Sequence, residues 1–168
     1  MSLNDIPAGS LCVVDTNVLL YAEQGISAQA QRLLHRCGTG ELLVRLPQPV
    51  WHELCHKLML AEALMAGHIA GGNPAAKLAR KPEAVRRLGL YRDKISALVH
   101  LGVSFEPVSQ EDFFEGAFAF QQAYGLLTHD SIILSAAVRT KADVLATADT
   151  AFSDINEIRV AMPTDIRS

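Results

Sequence analysis

The chain has 168 residues, 49% of them hydrophobic and 20% charged, which suits a single packed domain and excludes a disordered or collagen-like chain. Fifteen Lys and Arg against eighteen Asp and Glu give a formal net charge of -3. A uniform basic coat for nucleic acid is therefore excluded, and any such binding must be local.

The N-terminal stretch MSLNDIPAGSLCVVD has no basic leader, and its apolar run stops at Asp15, so neither a signal peptide nor a membrane span is expected. Leu11 to Val14 reads as a buried strand that ends on Asp15-Thr16-Asn17, the start of a helix. Ser27 opens a second helix, closed by Gly38 and Gly40 before a strand from Leu42 to Leu46. After Pro47 and Pro49, apolar residues Val50, Leu54, Leu58, Ala61 and Met65 recur every three or four positions, which predicts a long helix from Val50 to Ala66 with Glu53 in its first turns.

Residues 67–81, with Gly71-Gly72-Asn73-Pro74, predict a loop, and Pro82 begins a helix reaching Leu101. A third strand follows from Val103 to Val108. Ser109 and Asp112 have capping-box spacing before the helical FFEGAFAFQQAYG. Thr128 is expected to cap the next helix, Asp143 to Thr147 forms a fourth strand, and Ile158 to Ala161 a fifth. Short apolar strands alternating with helices predict an α/β fold with a mostly parallel sheet of four to five strands. Cys12, Cys37 and Cys55 lie in apolar or helical runs and are read as reduced core thiols of a cytoplasmic protein.

Parallel sheets build their sites beyond the carboxyl ends of the strands, where this chain repeatedly places acids. Asp15 ends the first strand and Glu53 begins the helix after the second. Asp130 lies in a first helical turn, and Asp149 follows VLAT. Singly, each has an ordinary explanation as a first-turn charge or a solvated helix residue. Together they would repel unless a divalent cation neutralised them, and oxygen donors suit magnesium or manganese.

The stretches VVDTNVLL, PVWHELCHKL, LLTHDSIILSAAV and VLATADTAF, in this order, resemble the PIN-domain ribonucleases, including VapC-like toxins of toxin–antitoxin pairs. The resemblance covers residues 11 to about 155 and implies a three-layer α/β/α sandwich and metal-dependent RNA hydrolysis. It assigns Asp15, Glu53, Asp130 and Asp149 as catalytic and metal-holding acids, with Asn17 and Thr147 orienting them. It further implies RNA, a second copy of the chain and a small antitoxin as partners. Two departures stand out: residues 67–91 form an insertion within the single domain 1–168, and Ala148 lacks the polar group that many relatives place before the last acid, so Thr147 must supply the hydroxyl.

A rival motif overlaps Glu53. HELCH, residues 52–56, fits the HExxH zinc-peptidase pattern with His52 and His56 at i and i+4. Its extended form fails because Met59 and Glu62 stand where Gly and His are required. A non-catalytic PIN-fold module that binds RNA or protein is the other alternative, and the presence of all four acids disfavours it. Finally, seven basic residues against two acidic ones between Lys77 and Lys94 give a local balance of +5. Lys77, Arg80, Lys81, Arg86 and Arg87 are candidates for phosphate contacts, against the simpler reading of a solvated basic face.

Overall fold

A computed structural model describes residues 1–166. Five strands, β1 (Leu11–Val14), β2 (Leu43–Pro47), β3 (Ser104–Glu106), β4 (Val144–Ala146) and β5 (Arg159–Ala161), form one sheet of order β3-β2-β1-β4-β5. Every pairing is parallel. In β1 the consecutive residues Cys12, Val13 and Val14 are fully buried, as are Val144, Leu145 and Ala146 in β4. Successive side chains point to opposite faces of a sheet, so both faces are covered and the expected three layers follow.

Eight α-helices connect the strands among the described residues: α1 (Thr16–Glu23), α2 (Ala28–Gly38), α3 (Gln48–Met65), α4 (Pro74–Ala79), α5 (Pro82–Arg87), α6 (Leu90–His100), α7 (Ala117–Tyr124) and α8 (Thr128–Arg139). None is long and apolar enough to cross a membrane. Asp15 caps α1 through Thr16 N–H, and Ser27 caps α2 through Ala30 N–H. Cys12 and Cys37 are buried in the core; desolvation pushes the Cys12 thiol up to about 12, which leaves it inert.

Segment 67–91 differs from its expectation. Residues 67–81 are not all loop, because Asn73, at φ 47°, caps the short α4 by accepting Ala76 N–H. The single helix expected from Pro82 to Leu101 is broken at Leu88-Gly89 into α5 and α6. Glu62 of α3 accounts for the break: its Oε1 accepts Gly89 N–H at 2.8 Å and Leu90 N–H at 3.1 Å, and its Oε2 accepts Tyr91 N–H at 2.8 Å. A carboxylate on three free amides of a new helix start replaces continuation of the old helix. Ala63, Ile69, Leu78, Ala84 and Leu88 form a small second core beneath this segment.

Two further boundaries move. Thr128 is the first residue of α8 rather than its cap; Leu127 occupies the cap position, and Thr128 Oγ1 accepts from Gln121 Nε2 instead. The Ser109–Asp112 capping box is present in both directions, at 2.9 and 3.0 Å, but it opens a π-helical turn, Asp112–Gly116, ahead of α7.

Candidate active site

The strand order reverses at β1. The chain runs β1, β2, β3 to one side and then returns to place β4 and β5 on the other. Such a switch point leaves a crevice beyond the carboxyl ends of the two strands, here β1 and β4. Asp15 directly follows β1, and Thr147 and Asp149 directly follow β4. Helices that return from a parallel strand start at this same edge, which brings Glu53 near the start of α3 and Asp130 in the first turn of α8.

Hydrogen bonds tie three of these acids into one chain. Thr147 Oγ1 donates to Asp15 Oδ2 at 2.8 Å and accepts Asp149 N–H at 3.0 Å. Asp15 Oδ1 accepts Thr16 N–H at 2.6 Å, and Thr16 Oγ1 donates to Glu53 Oε2, also at 2.6 Å. Both threonines are wholly buried. Asp149 Oδ1 accepts Ala151 N–H at 2.8 Å and so also caps the short turn after β4. Asn17 is half-buried in the first turn of α1, and its amide makes no hydrogen bond to the four acids among the described residues.

Charge is distributed unevenly. Glu53 has Lys57 Nζ at 2.8 Å and His129 Nε2 at 3.2 Å. Burial alone would raise its carboxyl, but the hydrogen bonds from Lys57 and Thr16 outweigh it and hold Glu53 below the usual carboxylate range. The His129 nitrogen is buried and lies within ion-pair distance of Glu53, yet its geometry does not make a hydrogen bond. No Lys, Arg or His forms an ion pair with Asp15, Asp130 or Asp149 among the described residues. Burial, followed by repulsion from Asp149 and Asp15, pushes Asp130 up. Asp15 is also pushed up, chiefly by burial, against the pull of its two hydrogen bonds.

This deficit of positive charge fits a divalent cation, and the all-oxygen donors fit magnesium or manganese. Among the described residues no three His, Cys, Asp or Glu side chains stand as a ready-made metal cage. That arrangement is ordinary for magnesium, which keeps several waters and relies on one or two carboxylates plus substrate phosphate. The zinc-peptidase motif does lie on a helix, but His52 and His56 are exposed and no third ligand joins them among the described residues.

An open groove of about 740 Å³ reaches the site at Glu53, lined by Gln48, Pro49, His52, Glu53, Val108, Phe113, His129 and Ile132. Thr16, Lys57, His129 and Phe113 are site residues that sequence reasoning did not single out. Lys57 was legible as the i+4 partner of Glu53; nothing local pointed to the hydroxyl of Thr16.

The basic segment lies elsewhere. From Glu53 to Ala63, where the second core begins, α3 runs ten residues, about 15 Å at its usual rise. Lys77 donates to the carbonyls of Ala70 and Gly71, Lys81 to that of His68 at 2.7 Å, and Arg86 pairs with Glu83. Arg80 and Arg87 remain exposed, with no such partner among the described residues.

Known proteins agree with this architecture. VapBC2 from Rickettsia felis, solved bound to a DNA fragment from its promoter, superposes with a TM-score of 0.59 at 16% identity, covering 90% of this chain and 98% of that one. A toxin–antitoxin complex from Klebsiella pneumoniae gives a TM-score of 0.56 at 20% identity, covering 90% and 97%. At these identities the likeness is one of fold. Among curated proteins none matches. The family model described as PIN domain matches residues 12–158, nearly the whole chain, and the protein therefore belongs to the PIN domain family of nucleases.

Proposed function

We propose that the protein is a divalent-metal-dependent endoribonuclease, hydrolysing RNA phosphodiester bonds as the toxin of a toxin–antitoxin pair. The observation that carries the reading is the set of acids at the β1/β4 switch point, three of which form no ion pair among the described residues. Asp15, Asp130 and Asp149, with Glu53 beside them, would hold magnesium or manganese. Such an ion, when bound, would supply charge neutralisation and polarisation of the phosphodiester.

The remaining work falls to the chain. Thr147 and Thr16 hold the buried Asp15 carboxylate by both oxygens, so its orientation costs nothing when substrate arrives. Lys57 offsets the charge of Glu53 while leaving the three aspartates uncompensated. The groove that Glu53 and His129 line is offered as the path of the RNA strand. Similarity to two toxin–antitoxin complexes supports an antitoxin partner, and a cytoplasmic location and a second copy of the chain belong to the same reading. The exposed Arg80 and Arg87 are offered as distant phosphate contacts.

The test is a cleavage assay on mixed RNA with magnesium, manganese or chelator. Cleavage with either metal, absent in chelator and in Asp15→Asn, is expected. Intact RNA in every arm, or cleavage indifferent to chelator, overturns the proposal.

A further inference from the structure

Three of the six phenylalanines in the chain lie exposed in one patch: Phe113 at 39%, Phe114 at 55% and Phe118 at 47%. Phe113 and Phe114 meet edge to face with centroids 5.1 Å apart, and Phe114 meets Phe118 in the same manner at 6.2 Å. All three residues nevertheless keep more than a third of their surface exposed. Clustered exposed rings with no polar tip mark a surface that binds something.

The patch is anchored to the acidic site in three ways. Phe113 lines the same groove as Glu53 and His129. Gln121, one turn beyond Phe118 on α7, donates to Thr128 Oγ1 at 3.3 Å and Ser131 Oγ at 3.2 Å, the residues that flank His129 and Asp130. The π-helical turn carrying Phe113 and Phe114 is itself clamped onto α8. Asp112, 1% exposed, accepts Arg139 Nε on both oxygens at 2.9 Å. At Gly116 an added Cβ would lie 2.0 Å from Ser135 Oγ, so the turn seats against α8 as closely as a backbone can. π-helical turns of this kind are frequent at functional sites.

We propose that Phe113 and Phe114, backed by Phe118, form a stacking platform for unpaired nucleobases next to the phosphate that reaches the acids. The inference rests on the ribonuclease reading and names the residues that position its substrate. Acids at the groove repel phosphates, so affinity at this end must come from something other than charge, and every base offers a π-face. Bases inside a duplex are already stacked and unavailable, so the platform selects single strands, loops and ends.

The test uses the full-length Asp15→Asn protein in magnesium with a labelled single-stranded oligoribonucleotide and the duplex of the same sequence. Adding Phe113→Ala and Phe114→Ala is expected to weaken single-strand binding about tenfold or more while duplex binding stays unchanged. Because both rings are exposed, their loss should leave the fold intact, and Phe114→Trp provides an independent readout. The only native tryptophan, Trp51, is buried, so single-stranded RNA should quench the new indole. Unchanged affinity in the double variant overturns the platform, as does an unquenched indole. So does a fall in oligomer mass with RNA affinity retained, which would make the patch a self-association face. If the wild type cleaves RNA and the double variant binds normally, only the platform falls. A wild type that neither binds nor cleaves RNA removes the ribonuclease reading and the platform with it.

Discussion

Thr147 holds Asp15 from the neighbouring strand: its hydroxyl donates to Asp15 Oδ2 at 2.8 Å while accepting the amide of Asp149 at 3.0 Å. One buried oxygen thereby sets the orientation of one acid and the backbone position of another. Thr147→Val keeps the shape and removes the hydroxyl. It is expected to cost about 1–3 kcal/mol in stability, since it leaves a buried acceptor and donor unpaired. Metal-dependent cleavage should fall about 10- to 100-fold, as for loss of other groups that orient ligands. Cleavage equal to wild type in a folded variant would show that the relay is structural only.

Metal and Asp15 should be linked through stability. Burial disfavours the ionised form of Asp15, so its carboxyl titrates above the usual range. For an acid raised on folding, stability is lost as pH climbs from the unfolded pKa through the folded one, and at neutral pH the metal-free chain carries that penalty. Asp15→Asn removes it. In chelator at neutral pH the variant should melt at or above the wild type, and magnesium should raise the Tm of the wild type alone. Equal stabilisation of both proteins by magnesium would place the ion elsewhere.

Asp112 and Arg139 predict an acid-side dependence of the opposite sign. Burial alone would raise Asp112, but Arg139 and Ser109 outweigh it and hold the carboxyl below the usual range. A depressed carboxyl contributes stability that is present above the unfolded pKa of about 4 and is lost as pH falls through the folded value. Arg139→Met strands the carboxylate and should cost up to about 3 kcal/mol, less than a fully buried pair because Arg139 is a third exposed. It should also flatten the loss of stability below about pH 4. Melting curves between acid and neutral pH decide this, and parallel curves for the two proteins would contradict it.

Glu62, on α3, holds residues 89–91 in place and is not part of the site. Glu62→Ala removes the acceptor of three amides at the start of α6 and should cost about 1–2 kcal/mol. Amide exchange should quicken in residues 88–93 while cleavage stays near wild type. A large loss of cleavage without loss of order would tie this segment to the chemistry.

Among the basic candidates, the structure separates two groups. Arg80 and Arg87 are exposed and form no ion pair among the described residues, so changing both to Gln should weaken RNA binding and flatten its salt dependence. Lys77 and Lys81 hold the carbonyls of residues 68–71, and their loss should show mainly as lower stability. An unaltered salt slope in the arginine variant takes this segment off the RNA path.

How far the sequence reaches depends on the range of the interaction concerned. Apolar runs such as Leu11–Val14 and the three-and-four spacing of α3 express burial along one element, so strands, long helices and the sheet class were legible. The four acids were legible too, because each stands at a fixed offset from a strand end or helix start. Ala148 even pointed to Thr147 as the source of the hydroxyl beside the last acid. The break at Leu88-Gly89 was not legible, since Pro82 to Leu101 is helical by local preference and the acceptor that starts α6 comes from Glu62 on another helix. Thr16 bridging Asp15 to Glu53, His129 approaching Glu53, and Phe113 turned into the groove by the Asp112–Arg139 clamp share that character. Each joins residues far apart in the chain, so it exists only once the strand order has closed at β1 and β4. Local preference determined which segments would be helix or strand and which acids would stand at the sheet edge. Which of those acids remain without a counter-charge, and what surface lies beside them, was decided by packing alone.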